Sequence, residues 1–383
     1  MTDHKNTFVD IHVLQTVPPS CINRDDTGSP KSAVYGGVER ARVSSQAWKR
    51  AARRDFSEHL AVDQLGERTL KVVDRISRRV QELGEQIDPE QALKAAQEAL
   101  SKTGIKVKVE KKKAKDEEAA EVETQNTGYL VFLSRAQINA LAALALDSID
   151  GATISKAAAQ RAFKDDSSID VALFGRMIAD APELNVDAAC QVAHAISVHE
   201  VVKEFDYFTA VDDNSPEDNA GAGMIGTVEF ASSTLYRYAT IDVVRLTENL
   251  GSEEAALAAV EAFVRSFVTS MPTGKQNTFA NRTRPGFVLT EVRHDQPVSL
   301  VGAFEDPVRA DRGILPQAAS SLVEYAVAGD KKYGTHPAAS FVMVADPNAA
   351  AAAERLEERA QDVDFDALVA RTAEAARAGT AAD

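Results

Sequence analysis

The sequence predicts an α+β fold in which one β-sheet, assembled from distant segments, is interrupted by a long helical insertion and carries an extended β-hairpin. Three observations lead there. A β-branched alternating segment opens the chain, helical periodicity fills residues 60–203, and the period returns to two from residue 204.

Residues 8–17 (FVDIHVLQTV) put Val9, Ile11 and Val13 on one face of a strand. The polar stretch PPSCINRDDTGSPKSAVYGG then reads as a long loop, a kind of segment that is often functional. Ser44 or Ser45 can cap a helix beginning in VERARVSSQAWKRAARRDF. Leu70, Val73, Ile76, Val80 and Leu83 keep helical spacing, and Asp88-Pro89 sets a fresh helix start. Residues 102–127 hold seven lysines followed by a cluster of acids, a flexible loop or charged hairpin. Ser134 with Gln137 makes a capping box, and further helices are predicted near 154–164 and 187–203. FDYFTAVDD and IGTVEFASSTLYRYATIDVVRL read as the two strands of a hairpin with an extended tip. Ser252 caps a helix over 252–269 with Leu257, Val260, Val264 and Phe267 on one face. The strand GFVLTEV, a helix near 317–329 and the strand FVMVAD complete the core, and the order is compatible with a ferredoxin-like sheet. The domains expected are 1–59 with 204–348 (the sheet, its hairpin at 204–234), 60–203 (the insertion), and an acidic Ala-rich tail, 349–383, helical or disordered.

The chain has 383 residues, enough for one large core or two smaller ones. No apolar run is long enough to span a membrane, and the N-terminus lacks a signal segment, so neither membrane insertion nor secretion is expected. Two distant cysteines, Cys21 and Cys190, exclude a disulfide framework or cysteine zinc site and suit a reducing cytosol. The net charge of −15 argues against nucleic-acid binding on average. The charge is uneven, however. Residues 1–54 hold nine Lys/Arg against five Asp/Glu, whereas residues 341–383 hold four Arg against nine acids.

The helix after Ser44 is the most informative element. Gln46, Lys49, Arg50 and Arg53 fall at i, i+3, i+4 and i+7 and share a face, while Trp48, Ala51 and Ala52 lie opposite. Arg40 and Arg42 approach from upstream, and Ser44, Ser45 and the first-turn amides form an anion site. Such a face suits a phosphate backbone; a solvated basic helix has the same spacing. In MPTGKQNTFANRTRP (271–285), Gly274 allows close backbone approach beside Lys275, Gln276, Asn277, Arg282 and Arg284, and an ordinary polar loop would read alike. In LFGRM, Arg176 and Met177 could stack on or wedge between bases, or Met177 could fill the core.

Other motifs fail. GAGMIG (221–226) lacks the strand before and helix after that a dinucleotide fingerprint needs, and HEVVK has Lys203 where a zincin requires histidine. Asp25 and Asp26 could bind Mg²⁺, but turn chemistry accounts for them more simply. No cofactor or metal site is expected.

FVDIHVLQTVPPSCINRDDTG, GGVERARVSSQAWKRAARR, DVALFGRM, AHAISVHEV, DYFTAVDD, GTVEFASSTLYRYATID and TGKQNTFA, in this order, closely resemble the backbone subunit of the type I-E Cascade complex of CRISPR systems. The resemblance runs from about residue 7 to 345 and is weakest over 57–165 and in the tail. It implies a modified RRM/ferredoxin-like palm, a helical fingers insertion and a β-hairpin thumb. It implies a non-enzymatic cytoplasmic protein that stacks head to tail along a CRISPR guide RNA, kinks it at regular intervals and presents it for pairing with target DNA. By matching motif, Arg24, Ser44, Gln46, Lys49, Arg50 and Arg53 would hold the guide, Met177 would wedge at the kink, and the GKQ segment would add contacts. The partners implied are guide RNA, target DNA through the guide, further copies of the chain, and guide-end-binding, large and small Cascade subunits. No K/R-G-F/Y-G/A-F motif is present, so base stacking on the sheet is not expected. The lysine block has no counterpart in the family pattern and is expected to add non-specific contact to target DNA. A ribonuclease using Asp25 and Asp26 and an RNA-free structural polymer remain the alternatives.

Overall fold

The computed structural model describes residues 6–112, 122–210, 224–311, 313–356 and 359–380. The chain divides into two compact units: Met1–Phe56, Gln191–Val244 and Val260–Asp383 form the first, and Ser57–Cys190 with Arg245–Ala259 the second.

The first unit is built on one sheet. Across it run Gln361–Asp362, Ala339–Val344, Phe287–Arg293, Phe8–Ser20, Met224–Asp242, Ala195–Ser197, Val38–Val43 and Ser32–Tyr35. Neighbours are antiparallel except Ala339–Val344 with Gln361–Asp362, which are parallel. Strand Glu204–Ala210 pairs antiparallel with Met224–Asp242 to make the hairpin, whose tip, residues 211–223, lies outside the described residues and includes the first half of GAGMIG.

Strand Phe8–Ser20 shows why the sheet holds. Val9, Ile11 and Val13 are buried on one face as predicted, and Asp10, His12 and Leu14 are buried on the other. Opposite residues of antiparallel strands share a face. Thr290, opposite Ile11, hydrogen-bonds Thr372 of helix Phe365–Thr380 at 2.7 Å. Arg237, opposite Val13, meets Trp48 of helix Ser45–Asp55 and Phe267 of helix Glu253–Thr269. Leu14, Tyr236, Tyr238 and Leu289 pack instead with Leu315, Leu322 and Val323 of helix Ile314–Tyr333. Each fully buried Leu or Val side chain removes apolar surface worth roughly 1.5–3 kcal/mol.

One expectation is corrected here, and one alternative is resolved. No helix forms over 187–203; its residues supply short strands, among them Ala195–Ser197, which sits between Val38–Val43 and Met224–Asp242. Ala195 and Ser197 are buried in this short interior strand. Of the two alternatives for the tail, its described part takes the helical one, with helices Ala350–Glu354 and Phe365–Thr380. Leu368, Val369, Ala373 and Ala376 are buried, and helix Phe365–Thr380 belongs to the sheet unit. Small side chains let that helix approach the strands closely.

The second unit packs helices Val72–Leu83, Pro89–Lys102, Arg135–Ile149 and Lys156–Lys164 around Val73, Ile76, Val80, Ala96, Leu100, Leu141 and Phe163. The predicted caps form: the amides of Glu90 and Gln91 donate to Asp88, and Ser134 and Gln137 bond reciprocally at 3.0 Å. Leu70 precedes the second-unit helix it was expected to join, and both it and Leu83 are exposed. The lysine block contributes strand Val107–Lys112, paired with Val122–Thr127, while residues 113–121 lie outside the described residues. No helix among the described residues is long and apolar enough to cross a membrane.

Under helix Ile314–Tyr333 the sheet buries a polar network. Asp10 accepts from the Tyr238 hydroxyl and the Val298 amide, both at 2.8 Å. His12 Nδ1 lies 2.9 Å from the Tyr236 hydroxyl, which accepts from Leu300 N–H at 3.0 Å. Arg293 bonds Glu291 and Asp330, and Arg359 bridges the same two acids. Three carboxyl groups thus face two guanidinium groups, and neutrality requires one more proton. Burial pushes Asp10 up to about 7, outweighing the hydrogen bonds it accepts, and burial aided by Arg359 and Arg293 holds His12 well below its ordinary value. Asp10 is therefore partly protonated near neutral pH and His12 is neutral.

The two shifts act oppositely on stability. A raised Asp10 makes the folded state bind more protons, so stability falls as pH rises from about 4 to about 7. A depressed His12 makes the unfolded state bind more protons, so stability falls as pH drops below about 6.5. The two slopes, each about 1.4 kcal/mol per pH unit, oppose one another in the native protein. His12→Gln is expected to expose the first slope and Asp10→Asn the second. Thermal midpoints of both variants relative to wild type between pH 4.5 and 7.5 measure this, and parallel profiles would refute the assignment.

Candidate nucleic-acid interface

Helix Ser45–Asp55 begins where sequence placed it. Ser44 is extended, and its side-chain oxygen accepts from Ala47 N–H at 3.3 Å. Trp48 and Ala52 are buried and Ala51 is half-buried; Gln46 and Arg50 are exposed, and Ser45, Lys49 and Arg53 are half-buried. The helix thus keeps one face on the sheet unit and turns amide, hydroxyl and cations outward. Arg54, not singled out from sequence, adds an exposed cation in the last turn.

The loop between the first two strands is tied to this helix. Asn23 Oδ1 accepts from the Ser44 amide at 2.9 Å, and the exposed Arg24 follows directly, its backbone bridged to Pro30. Asp25 is used locally: its Oδ1 accepts from Thr27 N–H at 2.9 Å, the Thr27 hydroxyl at 2.7 Å and Ser29 N–H at 3.0 Å. The Thr27 hydroxyl bond leads in holding its carboxyl below the usual range. The segment 271–285 packs backbone to backbone on the same loop. A Cβ at Gly274 would stand 2.2 Å from the Ile22 carbonyl oxygen, so only glycine fits. Lys275 then takes φ +45°, and Gln276 and Asn277 are exposed on the single turn Gln276–Phe279. Phe279 meets Phe230 at the hairpin base with ring centroids 5.9 Å apart. Loop 21–31, the basic helix and the Lys275 turn, distant in sequence, all belong to this one unit.

Arg42 is partly committed: Nε donates to the Ser32 carbonyl at 3.2 Å and Nη1 to His194 Nδ1 at 3.1 Å. Burial, with Arg42 and Lys31 beside it, lowers His194 below its ordinary range, consistent with a neutral ring that accepts from the guanidinium. Nothing in the sequence pointed to His194, because the pairing that brings it to Arg42 is long-range.

Two predicted contacts are corrected. Arg40 is 0% exposed and donates to the carbonyls of Tyr35, Ser197, Phe304 and Glu305. At neighbouring Gly36, a Cβ would overlap the Glu305 carbonyl at 1.6 Å. In the second unit Arg176 is 5% exposed, donating to the carbonyls of Leu184, Phe132 and Phe163 and to Gln137 Oε1, with its guanidinium 4.4 Å from the Phe163 ring. Neither can reach RNA. Met177, beside Arg176, is 81% exposed and is no core filler.

The one metal-ligand type cluster found among the described residues is Asp10, His12 and Glu291, with ligand atoms within 4.8 Å of one another. Guanidinium groups already hold both Glu291 oxygens, so the cluster reads as a charge-balanced network.

The family model for CT1975-like protein matches residues 9–371. A chain of a solved "CRISPR RNA-guided surveillance complex, pre-nicking" is similar at a TM-score of 0.82 and 35% identity, over 96% of this chain and 100% of that one. A chain of a second "CRISPR RNA-guided surveillance complex" is similar at 0.73 and 30% identity, over 96% and 99%. No curated protein matches.

The arginines separate experimentally. Arg40→Ala and Arg176→Ala each strand several buried carbonyls and are expected to cost about 3 kcal/mol or more in urea unfolding. Arg50→Ala is expected to stay within about 0.5 kcal/mol of wild type. Equal costs for the three would contradict these placements.

Proposed function

Since the chain belongs to the CT1975-like protein family, we propose that it is a backbone subunit of a CRISPR RNA-guided surveillance complex of the type I-E Cascade kind. In this role it coats the guide RNA spacer and presents it to target DNA.

One observation carries the reading: exposed Gln46 and Arg50 and half-buried Lys49 and Arg53 stand over a buried Trp48 and Ala52, with Arg24 and the Lys275 turn in the same unit. Cations on a rigid helix with a free-amide end hold phosphates without reading bases, leaving sequence recognition to Watson–Crick pairing. Tyr236 and Tyr238 of the central strands are buried among the residues of helix Ile314–Tyr333, which favours phosphate contact over base stacking there.

The finer assignment follows the fold. Phe287–Arg293, Phe8–Ser20, Met224–Asp242 and Ala195–Ser197 lie side by side, so in chain order the strands run fourth, first, third, second. Helices Ser45–Asp55 and Glu253–Thr269 fall in the two crossover stretches of the sequence. That order supports a ferredoxin-like, RRM-type palm. The hairpin Glu204–Ala210 with Met224–Asp242, bearing exposed Phe205 and Tyr207, is suited to close as a thumb over RNA held by a neighbouring copy. Exposed Met177 is suited to wedge at the kink. We take the subunit to be non-catalytic, because the Asp25 carboxylate is occupied by its own turn.

Charge reversal of Lys49, Arg50 and Arg53 together is expected to abolish guide RNA co-purification while far-UV dichroism stays unchanged. For single-stranded RNA the loss of three phosphate contacts should reduce the salt-dependence slope by about two. A folded triple variant that loads guide at wild-type strength would overturn the proposal. Incubating the assembled complex with complementary RNA and Mg²⁺ tests the non-catalytic assignment, and cleavage abolished by Asp25→Ala would refute it.

A further inference from the structure

The two surface segments assigned to RNA, helix Ser45–Asp55 and residues 271–285, are joined beneath the surface by a chain of buried polar groups. Arg237 on strand Met224–Asp242 is 1% exposed, and no carboxylate partners it among the described residues. Its guanidinium lies 3.7 Å from the Trp48 ring centroid and 4.6 Å from that of Phe267. Nη2 donates to the Phe267 carbonyl, near the helix end that leads into segment 271–285, and Nη1 donates to Gln15 Oε1 at 2.6 Å. That bond orients the Gln15 amide. Its Nε2 donates to the Thr283 carbonyl at 2.9 Å and to the Thr283 hydroxyl at 3.3 Å, and that hydroxyl donates to the Thr16 carbonyl at 2.8 Å. The path runs Trp48–Arg237–Gln15–Thr283, from the basic helix to the second RNA segment.

A buried guanidinium without a counter-charge is an expensive way to fill space. Burial lowers Arg237 to about 9, still a cation at neutral pH. An apolar residue of similar length would serve stability at least as well. What it would lack is a rigid planar group that stacks on an indole and donates at fixed angles.

We propose that Arg237 and Gln15 are positioning residues that lock the basic helix and the 271–285 segment into a single phosphate-binding frame. This rests on the guide-binding reading above. Neither residue touches RNA. Each acts by holding Lys49, Arg50 and Arg53 at a fixed offset from Lys275, Gln276 and Asn277, so that one strand can engage both sets.

Trp48 is the single tryptophan of the chain, so its emission reports the stack directly. Arg237→Met and Gln15→Met in the full-length protein are expected to shift that emission while keeping a cooperative unfolding transition. Each should weaken binding of a single-stranded RNA oligonucleotide about tenfold, the scale of one lost hydrogen bond to a charged group. The double variant should lose little more than either single one, as members of one relay do. Gln15→Met should also flatten the salt dependence although every surface cation remains. Loss of stability alone would lower the active fraction and leave that slope unchanged.

Wild-type RNA affinity in either folded variant, an unaltered slope, or additive losses would overturn the proposal. If Arg237→Met does not fold, Gln15→Met and Thr283→Val keep the guanidinium and carry the same comparison. The Lys49, Arg50 and Arg53 reversal run in parallel separates the two ideas. If it abolishes binding while relay variants bind normally, only the relay fails; if it too binds normally, the guide-binding reading fails and the relay with it.

Discussion

Over Val9–Leu14, strand Phe8–Ser20 is paired along both edges and buried on both faces, whereas Thr16 and Pro19 near its end are exposed. Side chains on either face must be apolar or find partners inside the protein. On one face Asp10 and His12 enter a network that reaches Glu291, Arg293, Asp330 and Arg359. On the other, Gln15 connects Arg237 to Thr283. Because both faces are closed over that stretch, loop 21–31, the basic helix and the Lys275 turn present their polar groups at its rim. On the function proposed above, burial of these strands favours phosphate contact at the rim over base stacking on their faces.

That division appears most plainly among the arginines. A guanidinium cannot lose its proton at ordinary pH, so burying one demands acceptors on several sides. Arg40 and Arg176 meet the demand with main-chain carbonyls, whereas Arg293 uses carboxylates. In each case a cation ties together segments far apart in sequence. Arg24 and Arg50 remain in solvent. A linear sequence gives all of them one letter, which is why Arg40 and Arg176 looked like RNA contacts.

What sequence did reveal was local. Helix starts at Ser44, Asp88, Ser134 and Ser252 depend on side chains reaching amides two or three residues ahead, and each forms. The alternation of Val9, Ile11 and Val13 and the basic face of the first helix depend only on period. What escaped depended on distant pairing. Residues 195–197 become a strand because Met224–Asp242 and Val38–Val43 are there to accept them, and His194 reaches Arg42 for the same reason. The Ala-rich tail read as helical or disordered, and its docking on the sheet escaped because alanine carries little hydrophobic signal. Its small side chains are the very property that lets helix Phe365–Thr380 sit close against the strands.

The net charge of −15 need not oppose this reading. At physiological ionic strength the field of a charge decays over about 8 Å, so an acid on a distant face scarcely alters the potential at the basic helix. An RNA strand lying on the rim experiences Arg24, Lys49, Arg50 and Arg53 rather than the sum over the chain. The surrounding acidity then has a use. It discourages nucleic acid from adhering elsewhere, so productive contact requires several cations acting together at fixed spacing. Such selectivity cannot come from charge count alone, since a loosely held basic helix would bind any polyanion. It requires the cations to be held rigidly, and rigidity is supplied by what lies beneath them: Trp48 and Ala52 against the sheet unit, Asn23 on the Ser44 amide, and Gly274 against Ile22.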